Sequence, residues 1–356
     1  MKRVFLFILI CIGPFLKAQN TDQKIILITL DGLRWQELFS GADEKLVANK
    51  DYRGNESLKE KFWRNTPEER RQVLMPFVWS YIAKNGQIHG NRVLGSKVDL
   101  TNNMLFSYPG YNEIFTGRAD DERINSNSKT NNVNTTVLEI INNVPQFKDK
   151  VFSFGSWDVF PFIINEQRSG VPVNAGFETA KGEDLTDKEK FLNELQSQIP
   201  SPWSSVRLDA FTHHYAIETM KKYHPNLVHI AYGETDDFAH GGDYAAYLNS
   251  AQNTDAFFKD LWEFIESDPF YKGQTTILMT TDHGRGTEPL KEWKSHGSDI
   301  EGAREVWFIA FGKDVKPLGE IKSKEQLYTT GIAPTILKLF DLEDSQKEYM
   351  TEPLEL

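Results

Sequence analysis

The chain predicts an α/β fold, with a mainly parallel central sheet and helices on both faces. Two observations carry that expectation: apolar, β-branched runs stop at acidic residues three times along the 356 residues, and helix-like stretches separate the runs. Lys24–Leu30 (KIILITL) is the first run, and it ends at Asp31-Gly32. Residues 226–231 form the second, followed by Gly233-Glu234-Thr235-Asp236-Asp237-Phe238-Ala239-His240. Residues 276–281 form the third and lead straight into Asp282-His283-Gly284. Open parallel sheets bind ligands beyond the carboxyl ends of their strands, so these acids stand where a site is expected.

Between the first two runs lies a polar, irregular stretch over residues 40–65. Thr66-Pro67-Glu68-Glu69 then has the N-cap, first-turn proline and N3 glutamate of a capping box. The helical stretch it opens ends at Asn85-Gly86, with Pro76 breaking it. Further strands are expected at residues 87–94, 150–154 and 306–311, and amphipathic helices at 188–196, 208–223, 244–266 and 324–340. No repeat, low-complexity tract or Pro/Ser-rich linker interrupts residues 22–356. The expectation is one domain over residues 19–356, with insertions near 40–65 and 159–205.

Residues 1–18 read as a secretory signal peptide: Lys2 and Arg3, an apolar stretch over residues 4–12, and a small residue, Ala18, at the end. A retained anchor is the alternative. The signal-peptide reading implies a periplasmic or secreted destination. The single cysteine, Cys11, falls within this leader, so the remaining chain uses neither disulfides nor thiolates and must hold any metal through oxygen and nitrogen. Hydrophobic residues make up 39% and charged ones 26%, the balance of a soluble globular domain with no membrane span once the leader is removed. The formal charge of −11 argues against nucleic-acid coating or adhesion to anionic membranes. Oligomeric state is left open.

Asp236 and His240 are four residues apart, which places them on one face of a helical turn, where they can chelate one ion. Asp282 and His283 are adjacent at a strand end, and Gly284 permits the sharp turn that lets neighbours converge. His296 lies in the small-residue loop Ser295-His296-Gly297. Carboxylate with imidazole suits zinc best, with manganese or iron as alternatives. Each feature alone has an ordinary explanation: Asp-Gly is commonly a turn, a lone histidine is commonly surface or core, and Asp-x-x-x-His arises by chance. Their joint placement at strand ends is the signal. His213, His214 and His229 lack such settings and read as structural. Ser107, in Phe106-Ser107-Tyr108-Pro109-Gly110-Tyr111, reads equally as a helix N-cap or as a nucleophile, since a hydroxyl at a helix N-terminus sits in partial positive charge.

The ordered set Asp31, Ser107, Asp236, His240, Asp282, His283 and His296 resembles the alkaline phosphatase superfamily, in particular its nucleotide pyrophosphatase/phosphodiesterase branch. Gly331-Ile332-Ala333-Pro334-Thr335-Ile336-Leu337 resembles a late helix of many members. The resemblance implies two divalent metal ions, most readily Zn2+. Asp31, Asp282 and His283 would hold one together with Ser107; Asp236, His240 and His296 would hold the other. Ser107 replaces the threonine usual in that branch. The branch's phosphoryl-binding asparagine falls on Asn127, with Asn125 close by and a plain polar loop as the alternative. The implied activity is hydrolysis of a small phosphate ester through a phosphoserine. Diesters or pyrophosphates are favoured, because residues 154–162 carry aromatics where monoesterases of the superfamily place bases. Trp157, Phe160 and Phe162 are candidate stacking surfaces, and Arg168 and Arg285 candidate sources of positive charge. A phosphomonoesterase is the nearest alternative. A sulfatase would need an arginine at Tyr111, a mutase-like enzyme would need a larger inserted domain, and a non-catalytic secreted metal-binding protein would not need the nucleophile.

Overall fold

A computed structural model describes residues 22–54, 57–342 and 351–356. The signal peptide expected over residues 1–18 lies outside the described residues. The strands are β1 (Lys24–Leu30), β2 (Gly86–His89), β3 (Ser96–Asp99), β4 (Val151–Gly155), β5 (Val173–Ala175), β6 (Leu227–Tyr232), β7 (Thr275–Thr281), β8 (Glu305–Val306), β9 (Phe308–Gly312), β10 (Gly319–Glu320) and β11 (Glu325–Tyr328). Eight of them form one sheet in the order β10-β2-β9-β7-β1-β6-β4-β5, and β11-β3-β8 form a smaller one. The five from β7 to β5 are parallel, while β9 runs antiparallel to both its neighbours. The expected mainly parallel sheet is therefore present.

Successive side chains of a strand point to opposite faces, and β1 uses both. Ile26, Ile28 and Leu30 enter one apolar core, with Phe211 and Tyr215 of the Asp209–Tyr223 helix and Leu248 of the Tyr244–Ser267 helix. Ile25 and Leu27 enter the other, with Tyr111 of the Ser107–Thr116 helix and Ile336 of the Ile332–Leu339 helix. Burying each of these side chains is worth about 1.5–3 kcal/mol, which selects the doubly covered parallel sheet for an uninterrupted apolar run. His229 is buried in β6, with Nε2 3.1 Å from Thr29 Oγ1 and Nδ1 2.9 Å from Ser153 Oγ. Burial pushes its pKa down to about 3, so a neutral imidazole ties three adjacent strands together.

The Thr66 capping box forms, with Thr66 Oγ1 accepting from Glu69 N and Glu69 Oε2 accepting from Thr66 N, both at 3.2 Å. Its helix, Pro67–Leu74, stops ahead of Pro76, and a π-helical turn over Val78–Ile82 carries the chain on towards Asn85. Two expectations are corrected. The helix expected at residues 324–340 begins at Ile332, because Glu325–Tyr328 pairs as β11 with Ser96–Asp99. The strand expected at residues 87–94 ends at His89, because Gly90 turns the chain at φ 111° and Arg92–Leu94 forms a 3-10 turn. Among the described residues no helix is long and apolar enough to cross a membrane.

Candidate active site

Strand register brings the acids together. Leu30 pairs with Tyr232 on one side and Thr281 on the other, so Asp31, Gly233 and Asp282 leave the sheet at one level. The Glu234–Gly241 helix starts there, and its first turns carry Asp236 and His240. His296 returns from a loop that follows the Leu290–Lys294 turn.

His283 sits at the centre of the cluster and is fully buried. Its Nδ1 lies 2.9 Å from the Gly284 carbonyl, an acceptor only, which assigns the proton to Nδ1 and leaves the Nε2 lone pair facing the acids. From that Nε2, Asp31 Oδ1 is 3.2 Å away, while Asp236 Oδ1 and Asp282 Oδ2 are each 3.7 Å away. Asp282 Oδ1 accepts the amides of Gly32 at 3.1 Å and His283 at 3.0 Å, which aims Oδ2 into the cluster. Asp31 Oδ1 and Asp282 Oδ2 are both shut from solvent without a hydrogen-bond partner among the described residues. Buried lone pairs that face one another need protons or a cation between them. Burial, reinforced by neighbouring carboxylates, pushes both Asp31 and Asp282 well above the usual carboxylate range. This donor set fits a hard or borderline cation held by oxygen and nitrogen.

A second triad adjoins the first. Asp236, His240 and His296 each offer a ligand atom within 4.8 Å of the others, as do Asp31, Asp236 and His283. His240 Nε2 is 3.0 Å from His296 Nε2 and 3.2 Å from Asp236 Oδ2. His296 Nδ1 points to the Leu105 carbonyl at 3.3 Å, and burial, then His283, push its pKa down to about 2. Burial would raise Asp236, but Arg285 and the imidazoles of His240 and His296 outweigh it and hold the carboxylate well below its usual range.

Ser107 is the first residue of its helix, and Phe106, with extended φ and ψ, is the N-cap. The Ser107 hydroxyl therefore makes no capping bond; it lies 3.4 Å from His283 Nε2. The turn before it is unusual, since Leu105 takes a left-handed φ of 56°. Gly110 allows the helix to lie on the end of β7, where an added Cβ would stand 2.1 Å from the Asp282 carbonyl oxygen. Asn127 Oδ1 accepts the Tyr108 amide at 2.9 Å, whereas Asn125 turns away to the Glu122 carbonyl at 3.0 Å.

A family model described as Metalloenzyme superfamily matches residues 177–344, a span that includes Asp236, His240, Asp282, His283 and His296. No curated protein sequence matches the chain. Among solved structures, a protein in the alkaline phosphatase superfamily from Vibrio parahaemolyticus superimposes with a TM-score of 0.53 at 12% identity, over 91% of this chain and 67% of its own. The fold is that of the alkaline phosphatase superfamily. A quadruply substituted alkaline phosphatase PafA superimposes on this superfamily fold at TM-score 0.60 and 10% identity, over 93% of this chain and 98% of its own. A phosphonate monoester hydrolase from Silicibacter pomeroyi does so at 0.54 and 14%, over 90% and 73%.

The superfamily fold collects all seven expected ligand residues, with Asn127 beside the Ser107–Thr116 helix, but it corrects three other expectations. Arg285 is committed to Asp236 and to the Trp293 and Lys294 carbonyls. Arg168 is committed to Glu139 and to the Asn132 and Asn134 carbonyls, so neither arginine stands free for a substrate. Phe160 is core, packed edge-on against Tyr111 at 4.8 Å, and is no stacking surface. Trp157 is half-buried and bridges to Val206, and Trp203 meets Phe238 of the Glu234–Gly241 helix at 4.8 Å. Sequence reasoning also missed a base: Lys129 Nζ lies 2.6 Å from Asp158 Oδ2, inside the stretch that carries no base of its own. No periodicity could have shown it, because the lysine arrives from the loop that bears Asn127.

Proposed function

We propose that the chain is a metal-dependent phosphoric ester hydrolase in which Ser107 is the nucleophile. The observation that carries this reading is the uncapped Ser107 hydroxyl at a helix N-terminus, 3.4 Å from an imidazole nitrogen whose lone pair faces three aspartates. Asp31, Asp282 and His283 would hold one divalent ion beside Ser107, and Asp236, His240 and His296 a second. Such ions, most readily Zn2+, supply Lewis acidity toward the phosphoryl and leaving oxygens. Arg285 holds Asp236 through Oδ1, the oxygen that also faces His283 and His296. Ser107 Oγ attacks phosphorus in line, a P–O bond to Ser107 forms as the bond to the leaving oxygen breaks, and water then cleaves the phosphoserine. The N-terminal turn of the Ser107–Thr116 helix places partial positive charge against the transferred group. Asn127, held through Oδ1 by the Tyr108 amide, would donate from Nδ2 to one of its oxygens.

Small phosphodiesters or pyrophosphates are the favoured substrates, because the two arginines considered for the substrate's charge are spent on protein partners. Phosphomonoesters are the second reading: Lys129, two residues after Asn127 and half exposed, would have to leave Asp158 to reach a substrate, and a monoester dianion would gain more from it than a diester monoanion. The sulfatase reading lacks an arginine at Tyr111. Export through the leader belongs to the same reading, with the 159–205 insertion bringing Trp203 against Phe238 of the Glu234–Gly241 helix. One preparation loaded with zinc and assayed on an aryl diester, monoester and sulfate separates these substrates. Ser107→Ala should abolish both turnover and the covalent phosphoryl adduct detected by mass spectrometry. Full activity in that variant ends the proposal.

A further inference from the structure

On the far side of the sheet from Ser107, a second cluster of metal-capable side chains joins two helices. His213 is fully buried on the Asp209–Tyr223 helix, with Nε2 2.9 Å from Asp260 Oδ2 on the Tyr244–Ser267 helix and Nδ1 2.9 Å from the Tyr232 hydroxyl. Its ring stacks on Phe257 with centroids 4.5 Å apart. The neighbouring His214 ring lies 5.0 Å from that of His213, and its Nδ1 is shut from solvent without a hydrogen-bond partner. One ligand atom from each of His213, His214 and Asp260 lies within 4.8 Å of the other two. The His213–Asp260 hydrogen bond alone accounts for those two residues but not for the stranded nitrogen of His214.

We propose that His213, His214 and Asp260 form a separate mononuclear site for a divalent transition cation such as Zn2+, completed by water. Two imidazoles and one carboxylate are a borderline donor set, which selects zinc, nickel or cobalt over calcium and magnesium. Ligation needs neutral imidazoles, and burial lowers the pKa of both rings, that of His214 to about 4 with His213 as the second cause. The Tyr232 hydroxyl is placed to accept from His213 Nδ1 when Nε2 faces an ion, the outer hydrogen bond that metal-bound imidazoles commonly make. The Asp260 side chain is 56% exposed, which leaves a path from solvent. The nearby Lys188 ammonium opposes a cation, but it is drawn toward Glu218 at 3.4 Å. Because Tyr232 ends β6, an ion here would fasten both helices to the strand that leads to Asp236.

The test is metal content of the full chain, stripped with chelator, refilled with Zn2+ alone and freed of excess by gel filtration. Asp260→Asn and His214→Ala should each bind one ion fewer than the parent and keep the parent's esterase activity. The His240→Ala/His296→Ala double variant should lose ions from the active site yet retain one that Asp260→Asn then removes, so failure here and failure of the hydrolase reading give different results. Asp260 is at the surface, so loss of folding does not obscure its result. Equal zinc content in the parent, Asp260→Asn and His214→Ala overturns the proposal.

Discussion

Gly32 shows how little tolerance a single position near the cluster has. Its φ is 59°, and a Cβ there would stand 2.7 Å from Arg285 Nη1, 2.9 Å from Asp236 Oδ1 and 3.0 Å from His283 Cε1. The left-handed backbone alone costs a substituted residue about 1–2 kcal/mol, and the collisions displace ligand side chains as well. Gly32→Ala is therefore expected to lower stability by at least that amount in urea unfolding and to reduce bound zinc; parent-like metal content would contradict the placement. Asn127 makes the opposite kind of prediction, because it is exposed and its loss removes no packing. Asn127→Ala should cut turnover about 100-fold, the scale of one lost oxyanion-binding donor, while costing only about 1 kcal/mol of stability, that carried by its hydrogen bond to the Tyr108 amide. Asn125→Ala should be silent, and equal effects from the two would move the role elsewhere. Asn125 and Asn127 could not be told apart in the sequence. Only the hydrogen bond to the Tyr108 amide separates them.

Between elements, Asp255 joins the long Tyr244–Ser267 helix to the turn after Pro76, accepting from Phe77 N at 2.7 Å and Val78 N at 2.9 Å. Burial pushes its carboxyl up to about 7, against the pull of those two amides. A raised folded pKa means that this residue's stabilising contribution is full below about 3.8 and is lost as pH rises through about 7. Asp255→Asn should flatten the pH dependence of unfolding in that window, where one proton contributes a slope of at most about 1.4 kcal/mol per pH unit. Asp255→Ala, which strands two amides, should cost about 2–4 kcal/mol at acid pH and less as pH rises through about 7. An unchanged slope in Asp255→Asn would show that another group governs it. Elements with local signals were legible: the Thr66 capping box and the β1 run appear where Thr-Pro-Glu-Glu and an unbroken apolar stretch place them. Glu325–Tyr328 was not, because a short, half-exposed edge strand takes its conformation from Ser96–Asp99, a partner more than two hundred residues away.

Across the whole molecule the site draws on residues from Asp31 to His296, so cation binding and folding are linked. Without a cation, the raised Asp31 and Asp282 favour the folded chain at acid pH, and that advantage is lost as pH rises. A cation requires both carboxylates ionised and restores what they lose. Chelation should therefore lower the melting temperature more at pH 8 than at pH 5, and zinc at a hundredfold excess over Kd should return about 2.7 kcal/mol per site. A melting temperature indifferent to chelator at pH 8 would be incompatible with this linkage. The ligand residues were legible because register levels three strand ends, a property that apolar runs announce. The Arg285–Asp236 and Lys129–Asp158 pairs were not, since they depend on how loops return to the pocket. The contact of Gly110 with the Asp282 carbonyl leaves no slack between the Ser107–Thr116 helix and the end of β7. A seam that tight cannot breathe, so the amides of this helix and of the end of β7 should exchange with solvent as slowly as those of the sheet interior, a rigid floor under the cluster.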